Sequence, residues 1–78
     1  MLVTTLNCWG LASLPKKLAV HRLIEDQFID VLFLQETMGN GLGLVGEMES
    51  LLPGWNFISL DAKGMFGGLL IGWRNRHF

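Results

Sequence analysis

The sequence predicts an α/β (α+β) fold in the order β-α-β-α-β-β. Three observations predict it. Short apolar runs, too brief to be buried helices, alternate with two stretches of helical character. Glycine and proline mark most of the junctions between them. Half of the 78 residues are hydrophobic and only 17% are charged. That balance is too apolar for a small chain standing alone, so the segments read as core elements of a layered domain larger than these residues.

Leu2 to Cys8 forms the first expected strand, bounded by Gly10. Leu14-Pro15 marks a helix start, because proline's fixed φ and missing N–H suit the first turn. Val20, Leu23, Ile24, Gln27 and Phe28 then fall at i, i+3, i+4, i+7 and i+8. Lys17, Arg22, Glu25 and Asp26 lie largely off that stripe, so a helix is expected over about 15–29. Val31 to Gln35 is a continuous run, as in a strand covered on both faces. Gly39 to Gly43 reads as a loop, and Leu44 to Leu52 as a short second helix stopped by Pro53-Gly54. Trp55 to Leu60 and Gly68 to Trp73 are the last two strands, joined by a turn through Asp61-Ala62-Lys63-Gly64. A strand, crossover helix and strand imply neighbours in one sheet with the helices on one side, and the final pair implies a hairpin at its edge. Nothing in the sequence supplies a layer for the sheet's other face.

Composition excludes several classes. Cys8 is the single cysteine, so no disulfide framework exists, and no Cys/His pairs stand at zinc-ligand spacing. The longest apolar run, Phe66 to Trp73, is far short of the roughly 20 residues that cross a bilayer. Residues 1–14 lack the basic start of a secretory signal and carry Thr4, Thr5 and Asn7 within the apolar stretch. The formal net charge of −1 offers no basic field for a phosphate backbone, so attraction to nucleic acid would need a metal ion or further polypeptide.

Two sets of residues carry candidate chemistry. Gly41-Leu42-Gly43-Leu44-Val45-Gly46 is a literal G-x-G-x-x-G, and Asp61 lies 20 residues past Gly41, about where a dinucleotide-binding unit places its ribose carboxylate. Four residues separate Glu36 from Gly41, however, and the fingerprint needs its first glycine directly off the strand. The other set is Asn7 and Glu36, each at a strand end. By spacing alone they read as a turn residue and a solvated acid. Asp30, at the opposite end of its strand, reads as a loop or cap residue, His21 as a surface histidine, and the Arg74-Asn75-Arg76-His77 run as a solvated edge.

Three segments change that balance: Leu6-Asn7-Cys8-Trp9-Gly10-Leu11, then Asp30-Val31-Leu32-Phe33-Leu34-Gln35-Glu36-Thr37, then Gly67-Gly68-Leu69-Leu70-Ile71-Gly72-Trp73. In this order they resemble the endonuclease domains of non-LTR retrotransposons, the plant type in particular. Those domains belong to the endonuclease/exonuclease/phosphatase family, with pancreatic deoxyribonuclease and the apurinic endonucleases. The resemblance implies that residues 1–78 are a truncated N-terminal part of one such domain, a four-layered α/β/β/α sandwich. It further implies magnesium-dependent phosphodiester hydrolysis, with manganese as the alternative ion. Glu36 would be the metal ligand, and Asn7 would contact the phosphate or the metal's shell. The partners it implies are nucleic acid (DNA first) in the complete domain and the missing C-terminal part of the same domain. No membrane is involved, and the location would be intracellular, nuclear for a retrotransposon enzyme. Trp9 and Phe66 depart from the family, which has a polar or basic residue at the first position and a small or polar one at the second. The family's later residues, a tyrosine, an aspartate–asparagine pair, an aspartate and a terminal aspartate–histidine pair, have no counterpart here, and the chain contains no tyrosine. Inactivity of these residues alone is therefore expected. A degenerate, non-catalytic remnant and a small interaction module stay open as alternatives.

Overall fold

The computed structural model describes residues 1–8, 10, 11, 13–38, 41–60 and 68–75. The elements follow the expected order: β1 (Val3–Asn7), α1 (Leu14–Gln27), β2 (Val31–Gln35), α2 (Gly41–Leu51), β3 (Trp55–Leu60) and β4 (Leu69–Arg74). They form a mixed α/β unit around one four-stranded sheet of order β1-β2-β4-β3. β1 and β2 run parallel, as a strand–helix–strand crossover requires. β3 and β4 pair antiparallel, and β4 also pairs antiparallel with β2. The expected hairpin is present, with β3 as its edge strand and β4 inserted beside β2. Trp9, Gly39, Asp61, the rest of the 61–64 turn, Phe66, Gly67, Arg76 and His77 lie outside the described residues.

Local signals explain α1. Ser13 caps it in extended backbone, its hydroxyl accepting from the Lys16 N–H, and Pro15 sits in the first turn. The helix ends earlier than its periodicity implies. Phe28 adopts left-handed backbone at φ 52°, and the Phe28 and Ile29 N–H groups both donate to the Ile24 carbonyl. This turn swings the Phe28 ring out to 78% exposure and puts Ile29 into the core in its place. The stripe therefore runs through Val20 and Ile24, and also through Lys17, which was expected on the polar face. Lys17 is 6% exposed, and its ammonium meets the Glu47 carboxylate of α2.

The second helix corrects the expected loop. Gly41 and Gly43 are helical, and so is Gly46, so the whole glycine pattern sits inside α2 instead of bridging strand and helix. α2 contributes Leu44 and Met48 to the core, and the chain turns at Gly54, φ 87°, into β3.

Both helices cover the same sheet face. Val20 and Ile24 of α1 and Leu44 and Met48 of α2 pack with Leu32, Leu34, Leu70, Trp55 and Phe57. Trp55 and Phe57 stack at a centroid distance of 6.0 Å, and the Arg74 guanidinium lies 5.1 Å over the Trp55 ring. β2 was expected to be covered on both faces. In these residues only Leu32 and Leu34 are buried, whereas Val31 and Phe33, on the opposite face, are half-buried. One layer of helices covers one face.

The Lys17–Glu47 pair gives an expected result. Glu47→Ala removes the carboxylate that meets a buried ammonium and should cost about 1–2 kcal/mol, less than for a fully buried pair because Glu47 stays more than half exposed. Lys17→Met should be neutral or stabilising by about 1 kcal/mol, since methionine buries an apolar stem without desolvating a charge. Urea midpoints of the two variants check both.

Candidate metal and phosphate site

The expected site residues lie at one end of the sheet. Asn7 is the last residue of β1 and pairs in register with Gln35, the last residue of β2. Glu36 follows directly. Residues 7 and 36 thus occupy adjacent strand ends, the location where open α/β sheets place ligands. Beyond the strands the two chains stay zipped: the N–H groups of Cys8, Gly10 and Leu11 donate to the carbonyls of Gln35, Glu36 and Thr37 at 2.8, 2.8 and 2.9 Å. From the other side Thr37 N–H donates to the Gly68 carbonyl at 3.3 Å. The Gln35-Glu36-Thr37 segment is therefore clamped between the continuation of β1 and the start of β4.

Backbone strain is concentrated in this clamp. Glu36 and Met38 both take positive φ, 53° and 51°, which costs a residue with a Cβ about 1–2 kcal/mol each. Such strain persists where the surroundings over-determine it, and it clusters at functional sites. Gly10, at φ 91°, and Gly68, at φ 93°, supply conformations that other residues adopt only with difficulty. A Cβ on Gly68 would lie 2.8 Å from the Thr37 hydroxyl. Close packing thus accounts for Gly68. Sequence reasoning assigned no role to Thr37, which is 4% exposed, and used Gly10 only as a strand boundary. The signal available was two glycines and a threonine grouped at strand ends.

Glu36 itself is half-buried, and its Oε2 is shielded from solvent with no hydrogen-bond partner among the described residues. An unpaired carboxylate oxygen in such a place is costly, and a cation resolves the cost. Among the described residues no group of three or more His, Cys, Asp or Glu side chains comes together. Glu36 alone suits an ion that keeps most of its waters and takes one or two protein carboxylates, as magnesium does.

Asn7 is exposed and belongs to the sheet face away from the helices. Next to it a cleft of about 170 Å³ opens between the end of β1 and α1, lined by Asn7, Cys8, Leu11 and Lys16 among others. Lys16 Nζ donates to the Cys8 carbonyl at 3.3 Å, placing a positive charge beside the strand end. Burial pushes the Cys8 thiol up, and the Lys16 charge opposes it, so Cys8 is a neutral thiol at pH 7.

The remaining polar residues serve structure. Asp30 accepts from Leu2 N–H at 3.0 Å and lies 3.6 Å from Arg74 Nε, which itself donates to the Ile29 carbonyl at 2.9 Å. This cluster ties β1, β2 and β4 together at the end of the sheet opposite Glu36, in keeping with a cap role for Asp30. His21 is half-buried in the middle of α1. With its glycines in a helix, the G-x-G-x-x-G pattern has no tight turn to cradle a pyrophosphate.

No protein-family model matches the chain, and no curated protein matches it. Among solved structures the chain is similar to the crystal structure of the AP endonuclease LMAP from Leishmania major, with a TM-score of 0.70 and 28% identity. The match covers 94% of this chain and 23% of that one. No helix among the described residues is long and apolar enough to cross a membrane. The structural likeness supports placing this α/β unit in the endonuclease/exonuclease/phosphatase superfamily, as a nuclease-like fragment of that fold.

Proposed function

We propose that the chain is part of a magnesium-dependent phosphodiesterase, a DNA endonuclease of retrotransposon type, in which Glu36 holds the metal and Asn7 contacts the phosphate. The observation that carries this reading is the shielded, unpartnered Glu36 oxygen at a parallel strand end. The similar Leishmania protein is named as an AP endonuclease, which supports nucleic acid as the substrate of a complete domain. The three segments quoted above supply the retrotransposon part, and with it a nuclear location.

When bound, the ion would supply charge stabilisation at phosphoryl oxygens and a more acidic water. The chain's own residues contribute position. The clamp on Gln35-Glu36-Thr37 fixes the root of the Glu36 side chain, so the carboxylate presents its free oxygen without a large entropic cost. The Asn7 amide offers two N–H donors and no charge, so it can bind a phosphoryl oxygen without competing for the cation. The 78 residues hold no tyrosine, and among the described residues no cluster of three or more His, Cys, Asp or Glu side chains forms around Glu36, so the fragment by itself is inactive in this reading.

Manganese tests the site directly. Titrated into the labelled chain, it should broaden the amide resonances of Asn7, Glu36 and Thr37 first. Glu36→Gln should remove that effect, since it keeps the shape and loses the charge. Broadening that survives the substitution takes Glu36 out of the site. In a chain that includes the rest of such a domain, Glu36→Gln should lower metal-dependent nicking by at least 10²-fold, the order found when a transition-state charge stabiliser is lost.

A further inference from the structure

We infer that the cleft between the Pro53-Gly54 turn and the end of β4 binds a phosphate group through the outer nitrogens of the Arg74 guanidinium. The cleft measures about 240 Å³ and is lined by Pro53, Gly54, Arg74 and Asn75. It lies at the Asp30 end of the sheet, roughly 17 Å from the Glu36 end for five residues at about 3.3 Å each. Nothing in it depends on a metal at Glu36. Arg74 is held there by three contacts. Its guanidinium lies 5.1 Å over the Trp55 ring, its Nε donates to the Ile29 carbonyl at 2.9 Å, and Asp30 Oδ1 stands 3.6 Å from the same nitrogen. The tie between strands therefore uses the guanidinium face and Nε. Among the described residues neither Nη nitrogen has a hydrogen-bond partner. Four N–H donors remain on a side chain that is only 21% exposed and already ordered. Such a fork loses little conformational freedom when it takes an oxyanion by two parallel hydrogen bonds.

The walls add donors and keep their spacing. Gly54 N–H donates to no described backbone group, and the exposed Asn75 brings a side-chain amide. The Asn75 N–H donates to the Gly54 carbonyl at 2.8 Å, which pins one wall to the other. No carboxylate lines the cleft among the described residues. Asp30 stands on the Nε side and accepts the Leu2 N–H at 3.0 Å, so it orients the fork and offsets part of its charge. Arg76 and His77 follow in sequence, so residues 74–77 set two arginines against that one aspartate. A phosphate presents three strong acceptor oxygens to three separate donor groups, whereas a carboxylate presents two. The donor set therefore favours phosphate.

Inorganic phosphate titrated into the nitrogen-15-labelled 78-residue chain at constant ionic strength tests this. The Arg74 Nε–H, Gly54 N–H and Asn75 side-chain resonances should shift on one saturating curve, with a Kd on the order of 1 mM, while those of Asn7 and Glu36 stay still. Arg74→Lys keeps the charge but loses the fork, and should raise the Kd about fivefold or more. Asn75→Asp puts a carboxylate at an exposed position of the rim and should raise it about tenfold with the circular dichroism spectrum kept. Should Arg74→Lys lose its fold, Asn75→Asp decides. A 5′-phosphorylated trinucleotide that displaces inorganic phosphate from these signals assigns the group to a nucleic-acid strand. Phosphate binding without that displacement assigns it to free phosphate, and either result supports the site. Signals unmoved at about 20 mM phosphate, some twentyfold above the expected Kd, overturn the proposal. Acetate bound as tightly as phosphate, or an affinity indifferent to both substitutions, overturns it as well.

Discussion

Gly72→Val is expected to lower stability by about 3 kcal/mol, enough to leave a chain of this size mostly unfolded at 37 °C. Gly72 faces Phe57 across the β3–β4 pair on the helix-covered side of the sheet. A Cβ there would lie 2.3 Å from one Phe57 ring carbon and 2.7 Å from another. The ring has no room to move, because Phe57 is 6% exposed and stacks on Trp55, which holds Arg74 in turn. The added carbons must therefore push the strand or expel the ring. Urea unfolding followed by tryptophan fluorescence measures the loss. Gly72→Ala in a Phe57→Leu background should recover a large part of the cost of Gly72→Ala alone, because the smaller side chain vacates the space. A double-mutant cycle without coupling would show that the contact does not limit stability.

Gly68→Ala is expected to cost about 2 kcal/mol and to disturb the candidate metal site together with the fold. Two causes act at once: φ of 93°, and the close approach of the new Cβ to the Thr37 hydroxyl. Adding Thr37→Ala should relieve the steric part and leave the backbone part, so the double variant should fall between native and Gly68→Ala. The informative readout is manganese broadening at Glu36. Because Gly68 accepts the Thr37 N–H that clamps the Glu36 segment, Gly68→Ala should weaken it even under conditions where the chain stays folded. Undiminished broadening in a folded variant would mean that Glu36 is held by something other than the Gly68 contact.

Much of this protein is legible along the chain. The four strands and two helices occur in the order read from periodicity and punctuation, with α1 opening at Ser13-Leu14-Pro15 and α2 closing before Pro53-Gly54. Those signals are local: a cap, a proline, a stripe at helical spacing. Asn7 and Glu36 were visible only through the resemblance of short segments to a family, because a glutamate after a strand is by itself an ordinary surface acid.

Other features follow from residues that meet only when the chain is folded. Lys17 reads as a solvated charge until α2 delivers Glu47 to it. Phe28 fits the apolar stripe until a left-handed turn puts Ile29 in its place. The glycines of residues 41–46 match a phosphate-binding pattern, yet their backbone is helical, and spacing carries no record of φ. The same holds for Glu36, whose positive φ and shielded oxygen come from hydrogen bonds to Gly10 and from its neighbour Thr37 bonding to Leu11 and Gly68, partners about thirty residues away on either side. Pattern and capping act between residues a few positions apart, and they suffice for the elements and their order. Which oxygen is left without a partner, and which face of a sheet is left without a layer, depends on contacts between distant segments, and packing in three dimensions settles those.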